Sequence, residues 1–356
     1  MPQGEYLQYG GQAIIEGVMM RSPKYFAVAC RAPNGEIVLK TEPLEKSWIG
    51  RQKWLKLPFL RGSLAILDAM ALGYRALRFA ADIQLKPEYM KPEDREKYEA
   101  EQAAKAAKKG DRKTGPTPQA APASDSVASI QIGAALVFGV GLGLVLFVFL
   151  PNLLAEWIPA ADSTWRNVVS GIIKVILFLG YVWLIGLAPD IRRLFQYHGA
   201  EHKAINVMEA DQDLNMDNVL QQTRLHPRCG TSFAIIVLLV SLVVFTYVPR
   251  YPLGHEHGAF VNTLIRFGIE LVILPIIAGL SYELLRVAGR MKNKTLMKVL
   301  FWPGLMTQYL TTREPVPDQA EVALISLRAV IHAEESGELV EDANLLMRAT
   351  PAVATA

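Results

Sequence analysis

The seven residues Tyr197-His198-Gly199-Ala200-Glu201-His202-Lys203 hold two of the chain's six histidines, with a carboxylate between them. On a helix, positions i, i+3 and i+4 lie on one face. The spacing therefore turns His198, Glu201 and His202 the same way, as a metal site or an acid–base cluster requires. The order His-x-x-Glu-His is that of the inverted zinc-peptidase motif. In that reading His198 and His202 are ligands through neutral imidazole and Glu201 is the general base. Zinc or another divalent metal is the implied cofactor. A catalytic zinc takes three protein ligands and keeps a fourth position for water. The third ligand stays open among Glu209, His226, Cys229 and Glu283, and Glu16 is a further site contact. The competing reading is that the two histidines only hydrogen-bond within their loop and its neighbours.

The elements that position these residues are written in the apolar pattern. Ile191, Leu194, Phe195, His198, His202, Ile205 and Glu209 fall on one helical face, so the histidines run in line with apolar residues and away from water. Pro189-Asp190 starts this helix, with Asp190 placed as its cap. Gly199 in the middle costs helix propensity, which points to a close neighbour there. Leu225-His226-Pro227-Arg228-Cys229-Gly230 brings two more ligand types to the edge of an apolar run.

That run is one of four stretches near the roughly 20 apolar residues that cross a bilayer. They are approximately Val127–Leu150, Val168–Ala188, Ser232–Val248 and Val261–Leu280. The N-terminal segment lacks the apolar core of a cleaved signal peptide, so the first span acts as its own targeting signal. Lys and Arg number 20 in residues 1–126, 5 in 189–231 and 8 in 286–356, against single residues, Arg166 and Arg250, in the two remaining loops. This asymmetry places both termini and the 189–231 loop in the cytoplasm, with the chain multi-pass in the membrane. Cys30 and Cys229 then share the reducing side, against a structural disulfide. His255 and His257 fall across the bilayer from His198 and read as an exposed polar loop. Inside the spans, Lys174 and Glu270 are costly unless paired, and the depths of the two residues predict a contact, with Arg266 one turn above.

The expected organisation is mainly α: four transmembrane helices, a small N-terminal β unit and cytoplasmic amphipathic helices. Residues 1–42 form the cytoplasmic β unit. Ala13–Met20 reads as a strand, and Tyr25–Arg31 and Glu36–Thr41 flank the Asn34-Gly35 hairpin signal. Gly10-Gly11 and Gly17 indicate tight turns or close backbone approach. Glu16 reads first as the wet side of an edge strand. Residues 43–85 carry an amphipathic helix on the membrane surface or against the bundle. Residues 86–126 are a charged, Ala- and Pro-rich linker. Residues 127–188 hold spans one and two, 189–231 the histidine-containing loop, and 232–285 spans three and four. Gly139 and Gly143 in the first span make a small-xxx-small pair suited to helix packing. Residues 286–356 form a cytoplasmic tail with a docked helix starting at Asp318, capped by that residue with Glu321 completing the box.

Several of these segments together resemble one bacterial family. Gly10 to Arg21, Tyr197 to Lys203, His226 to Phe233, Pro275 to Arg286 and Leu310 to Gln319 are similar to motifs of the YqhQ-like membrane proteins of unknown function, labelled "predicted metal-dependent enzyme". The resemblance covers roughly residues 9–85 and 127–335. It implies the membrane architecture, a place in the bacterial cytoplasmic membrane and a metal-dependent activity, and it transfers no substrate or reaction.

The sequence thus supports an integral membrane protein with a metal-dependent, hydrolase-like site on the cytoplasmic face. The alternative is a non-catalytic scaffold or assembly factor gripping a protein partner on that side. A transporter comes third, resting on Lys174 and Glu270 alone. The lipid bilayer is a partner in every reading. The formal charge of +3 is too small to argue for nucleic acid.

Overall fold

The computed structural model describes residues 9–44, 60–109, 125–159, 162–254, 257–290 and 294–348. Among them, four strands pair as an antiparallel meander, β1 (Gly10–Ile14), β2 (Gly17–Arg21), β3 (Tyr25–Arg31) and β4 (Ile37–Pro43), in the order β1-β2-β3-β4. The expected single strand Ala13–Met20 is instead a hairpin, with Ile14 paired to Gly17 around a two-residue turn. Glu16 makes that turn with a φ of 51°. Gly17 allows it to fold flat, because a Cβ there would lie 2.3 Å from the Ala29 carbonyl oxygen.

Side chains alternate across a strand, and here both faces are covered. Val18, Met20, Ala27, Ala29 and Leu39 face one core; Ile14, Met19, Phe26, Val28 and Cys30 face another. The second core is closed by α1 (Leu60–Leu85), through Leu72, Ala76, Ala80 and Ile83. The first is closed by α6 (Pro189–Glu209) and α11 (Pro317–Ser336). The result is a three-layer unit with the sheet in the middle. Val322, Ile325, Ala329 and Val330 of α11 are all buried in it, as their spacing suggests. The start of α11 differs from expectation: Val316 is the N-cap, Pro317 leads the helix, and the Gln319 side chain reaches back to the Val316 N–H at 3.0 Å. Proline fits a first helical position because its missing N–H has no partner there. The same holds for α6, where Ala188 is the cap, Pro189 leads, and Asp190 sits in the first turn.

Four apolar helices among the described residues are long enough to cross a membrane: Gly133–Trp157, Ser163–Ile185, Gly230–Tyr247 and Ala259–Leu285. The chain is a multi-span membrane protein. The first comprises α3 (Asp125–Leu144), a π-helical segment (Val145–Phe149) and α4 (Leu150–Trp157). The others are α5 (Ser163–Ile185), α8 (Gly230–Tyr247) and the first part of α9 (Ala259–Arg290). Gly139 and Gly143 meet nothing in this chain within 4 Å of an added Cβ; their stretch of α3 stands at the periphery. Between spans, Lys174 Nζ donates to Glu270 Oε2 at 2.5 Å, Asn152 Nδ2 donates to Glu270 Oε1 at 3.0 Å, and Arg266 Nε lies 3.4 Å from Glu270 Oε1.

Helix α1 ties the spans to the three-layer unit. The N-terminal turn of α1 lies on α9, with Gly62 against Tyr282 and Ser63 Oγ donating to the Pro275 carbonyl at 2.9 Å. Its later turns lie on the sheet, so α1 is a strut between the two. α2 (Pro92–Lys109), exposed over residues 92–101, follows it; residues 110–124 of the expected linker, and His255 of the polar loop, lie outside the described residues. After α7 (Met216–Gln221), α8 and α9 comes α10 (Lys294–Thr311), which lies along α8 with Gly304 against Ser232. A short α12 (Ala343–Arg348) ends the described chain.

The strand of chain after α10 crosses α6 at Gly199. Arg313 N–H donates to the Phe195 carbonyl at 2.9 Å, and a Cβ on Gly199 would stand 2.1 Å from the Arg313 carbonyl oxygen. Backbone cannot yield as a flexible side chain can. Gly199→Ala is therefore expected to destabilise by about 1–3 kcal/mol, seen as a lower midpoint in thermal unfolding of the detergent-purified protein. Gly139→Ala, where space is open, should leave that midpoint unchanged or slightly raised.

Candidate metal centre

α6 presents His198, Glu201 and His202 on one side, and the segment before α8 brings Cys229 to meet them. One ring nitrogen each of His198 and His202 and the Sγ of Cys229 all lie within 4.8 Å of one another. His198 Nε2 is 3.2 Å from Cys229 Sγ. The two imidazole centroids are 4.4 Å apart. Glu201 sits between them, with Oε2 3.6 Å from His202 Nε2 and 4.0 Å from His198 Nε2.

The orientation of each ring is set from behind. His198 Nδ1 stands 2.9 Å from the Thr311 carbonyl oxygen, and His202 Nδ1 stands 2.6 Å from that of Arg224. A carbonyl can only accept, so in both rings Nδ1 carries the proton and donates. The lone pair of neutral imidazole is then on Nε2, aimed at the shared centre. Histidine ligands of metals are held in this manner, with the non-ligating nitrogen donating to a carbonyl or carboxylate.

The loop that carries Cys229 is held as firmly. Gln308 of α10 accepts from the His226 N–H at 2.7 Å and donates to the His226 carbonyl at 2.6 Å and to Ser232 Oγ at 2.8 Å. Asn206 of α6 donates to the Thr223 and Leu225 carbonyls at 2.7 and 3.2 Å. The His226 ring lies 5.6 Å from the His202 ring, and its Nε2 is 3.2 Å from Glu209 Oε1. Arg228 contacts the same carboxylate oxygen. Burial pushes the Glu209 carboxyl up, but the hydrogen bonds and charge of His226 and Arg228 outweigh it and hold the group below the ordinary range.

A strand closes the site from the other side. Gly11 of β1 approaches so near that a Cβ on it would stand 2.6 Å from Glu201 Cγ, and its N–H donates to the Glu201 carboxylate. Burial raises the Glu201 carboxyl above its ordinary pKa, with His198, His226 and the Gly11 N–H partly opposing the shift. Tyr9, Gly10, Gly11, His198, Glu201, His202, His226, Arg228 and Cys229 line a cavity of about 90 Å³, the volume of roughly three liquid-water molecules.

The sequence candidates thus divide. Cys229 stands with the two histidines, and His226 lines the same cavity one step away. Glu209 partners His226 and Arg228 behind it. Glu283, on α9, does not line the cavity. Neither does Glu16: its carboxylate is engaged by Arg193 and accepts from Tyr197 Oη at 3.2 Å. That ion pair explains the exposed-strand pattern better than either wet face or site contact. Cys30 lies in the core beneath α1, and burial pushes its thiol up to about 12, leaving it inert. Gly11, Gln308 and Thr311 were not among the sequence candidates, although the Gly10-Gly11 pair signals the close approach that Gly11 makes.

A thiolate and two imidazoles are a donor set that zinc accepts, at about 2.0 Å for nitrogen and 2.3 Å for sulfur. Three donors this close, with their lone pairs already convergent, fit such an ion with rotamer-scale adjustment.

Fold and site together define a multi-span membrane protein with a buried His/His/Cys cluster able to coordinate a metal. Residues 57–333 match the model of the family described as "Protein of unknown function (DUF1385)", and the chain belongs to that family. It is 32% identical over 336 residues to "Uncharacterized protein YqhQ" of Bacillus subtilis (strain 168), covering 93% of this chain and 94% of that one. No solved structure matches. The family description names no metal and no reaction.

Gln308 has both hydrogen-bonding ends occupied by the ligand loop. Gln308→Leu leaves the His226 N–H without a partner, worth about 1–3 kcal/mol, and leaves the His226 carbonyl only the longer bond from the Cys229 N–H at 3.3 Å. It is expected to weaken metal binding about 10- to 100-fold, measured by competition against a chromogenic chelator.

Proposed function

We propose that this protein is a metal-dependent hydrolase of the bacterial cytoplasmic membrane, with its site on the cytoplasmic face. One observation carries the reading: both histidines have Nδ1 committed to backbone carbonyls, so two Nε2 lone pairs and the Cys229 thiol converge on a point beside a buried carboxylate. His198, His202 and Cys229 are the metal ligands in this assignment. A divalent ion there would supply Lewis acidity to a bound carbonyl or phosphoryl oxygen. In this reading Glu201 takes a proton from an attacking water and returns it to the leaving group. The Gly11 N–H fixes the carboxylate, and β1 keeps bulk water from it. The excess of Lys and Arg in the segments flanking the spans supports the cytoplasmic face.

A second reading has its own support. The cluster joins α6, the start of α8 and β1, so an ion there also clamps the three-layer unit to a span. With His226 as a fourth ligand the site would be closed and structural, in a scaffold that binds a protein partner.

Metal analysis of protein purified without chelator decides between these. The hydrolase reading expects about one zinc or other divalent ion per chain, lost in His198→Ala/His202→Ala. Glu201→Gln should keep the ion, because a base is not a ligand, and His226→Ala should keep it too. Loss of the ion in His226→Ala supports the closed structural site. Absence of metal from the wild type sinks both.

A further inference from the structure

The spans enclose a second group of charges that the His–Cys centre does not use. Lys174 and Arg266 are both buried and share one carboxylate, Glu270. Arg250 and Arg166 likewise share Glu156, at 2.9 and 3.5 Å. Each half of this network carries two cations for one anion. Uncompensated charge among spanning helices is expensive and marks functional positions. The terminal nitrogens of Arg266 donate to the carbonyls of Phe245, Val248 and Pro249, while its Nε makes no hydrogen bond and stands 3.4 Å from Glu270 Oε1. The Lys174 ammonium has more donors to spare. An ammonium has three N–H donors; one reaches Glu270, and the group otherwise lies 5.2 Å from the Phe245 ring centroid.

Lys174 also borders an apolar cavity of about 270 Å³, in which Lys174, Glu270 and Ser241 are the polar side chains. Phe147, Val237, Leu238 and Leu274 line this cavity and also an adjoining, more open groove of about 510 Å³ that reaches Phe233 and α1. From Ser241 to Phe233 the two run about 12 Å along α8. The backbone of the walls is irregular. Phe147 and Val148 belong to the π-helical segment, a feature frequent at functional sites. Pro275 in α9 has no N–H for the Leu271 carbonyl. Irregular backbone at membrane depth is tolerated where it is buried in protein or lines a cavity.

We propose that the two cavities form one intramembrane binding site for an amphiphile with a single long hydrocarbon chain and a small monoanionic head, namely a long-chain carboxylate. Its carboxylate sits on Lys174, which brings the inner half of the network to two cations and two anions. Its chain follows α8 through the apolar cavities, where water has nothing to bond. The head must be small. The polar niche bounded by Asn152, Ser170, Lys174, Arg266 and Glu270 has only about 10 Å³ free, room for about one water, so the head stays on the cavity side of Lys174. The site is independent of the metal centre.

The test uses the full chain in nanodiscs of a zwitterionic phospholipid, with a diazirine-bearing palmitate as probe and mass spectrometry to locate the adduct. The expected adduct lies on the α8 and α9 residues that line the cavities. Unlabelled palmitate should displace it at a concentration roughly tenfold below that needed for hexadecanol or phosphatidylglycerol, reflecting the buried charge contact. Lys174→Met should weaken labelling by a similar factor. Leu238→Trp fills the cavity without touching the charges and should abolish it while the unfolding midpoint is kept. Should Lys174→Met fail to fold, Leu238→Trp and the competition series decide alone. No adduct, an adduct elsewhere, labelling that persists in folded Leu238→Trp, or displacement by hexadecanol or phosphatidylglycerol as efficient as by palmitate would each overturn the proposal.

Discussion

The structure turns on one close contact, the backbone of β1 against the buried carboxylate of Glu201. A charged group with no access to water needs compensating donors. Here a strand N–H provides one, and the strand can come near only because residue 11 has no side chain. The contact makes the sheet part of the site rather than a neighbour of it. β1 is held in turn by β2 and, through Gln12 Nε2 donating to the Ala69 carbonyl at 3.1 Å, by α1. Since α1 also rests on α9, the order of the cluster depends on the register of a sheet and the position of a span.

Much of this was legible. The face shared by His198, Glu201 and His202 follows from the period of the helix alone, and the four spans from length and composition. The mainly α fold with a small sheet was legible for the same reasons, because long apolar runs and an Asn-Gly turn are strong local signals. The buried face of α11 was read correctly from Val322, Ile325, Ala329 and Val330.

What was illegible depended on partners far away in the chain. Gln308 is an ordinary polar residue in a helix containing Pro303 and Gly304, and only its three partners around residues 226–232 give it a role. The β1–β2 hairpin was read as a continuous strand because its turn uses Glu16, a residue without the usual turn signature, and the Arg193 ion pair that engages its side chain lies 177 positions away. Asp190 and Asp318 look like caps, yet a proline already leads each helix and its φ is set for that position, so the cap falls one residue earlier still. Gly139 and Gly143 spell a packing motif, but spacing cannot say whether a neighbour exists.

The two buried polar centres, near opposite ends of α8, are built by the same device. A helix leaves its last carbonyls without intrahelical donors. Thr311 closes α10, and its carbonyl orients His198. Phe245 and Val248 stand at the end of α8, and their carbonyls, with that of Pro249, take the guanidinium of Arg266. In each case an acceptor that the fold must satisfy anyway fixes a side chain whose direction matters. The cost of leaving a buried carbonyl unbonded thereby becomes a restraint on chemistry. It acts without any further side chain, and for that reason neither centre announces its supporting partners in the sequence.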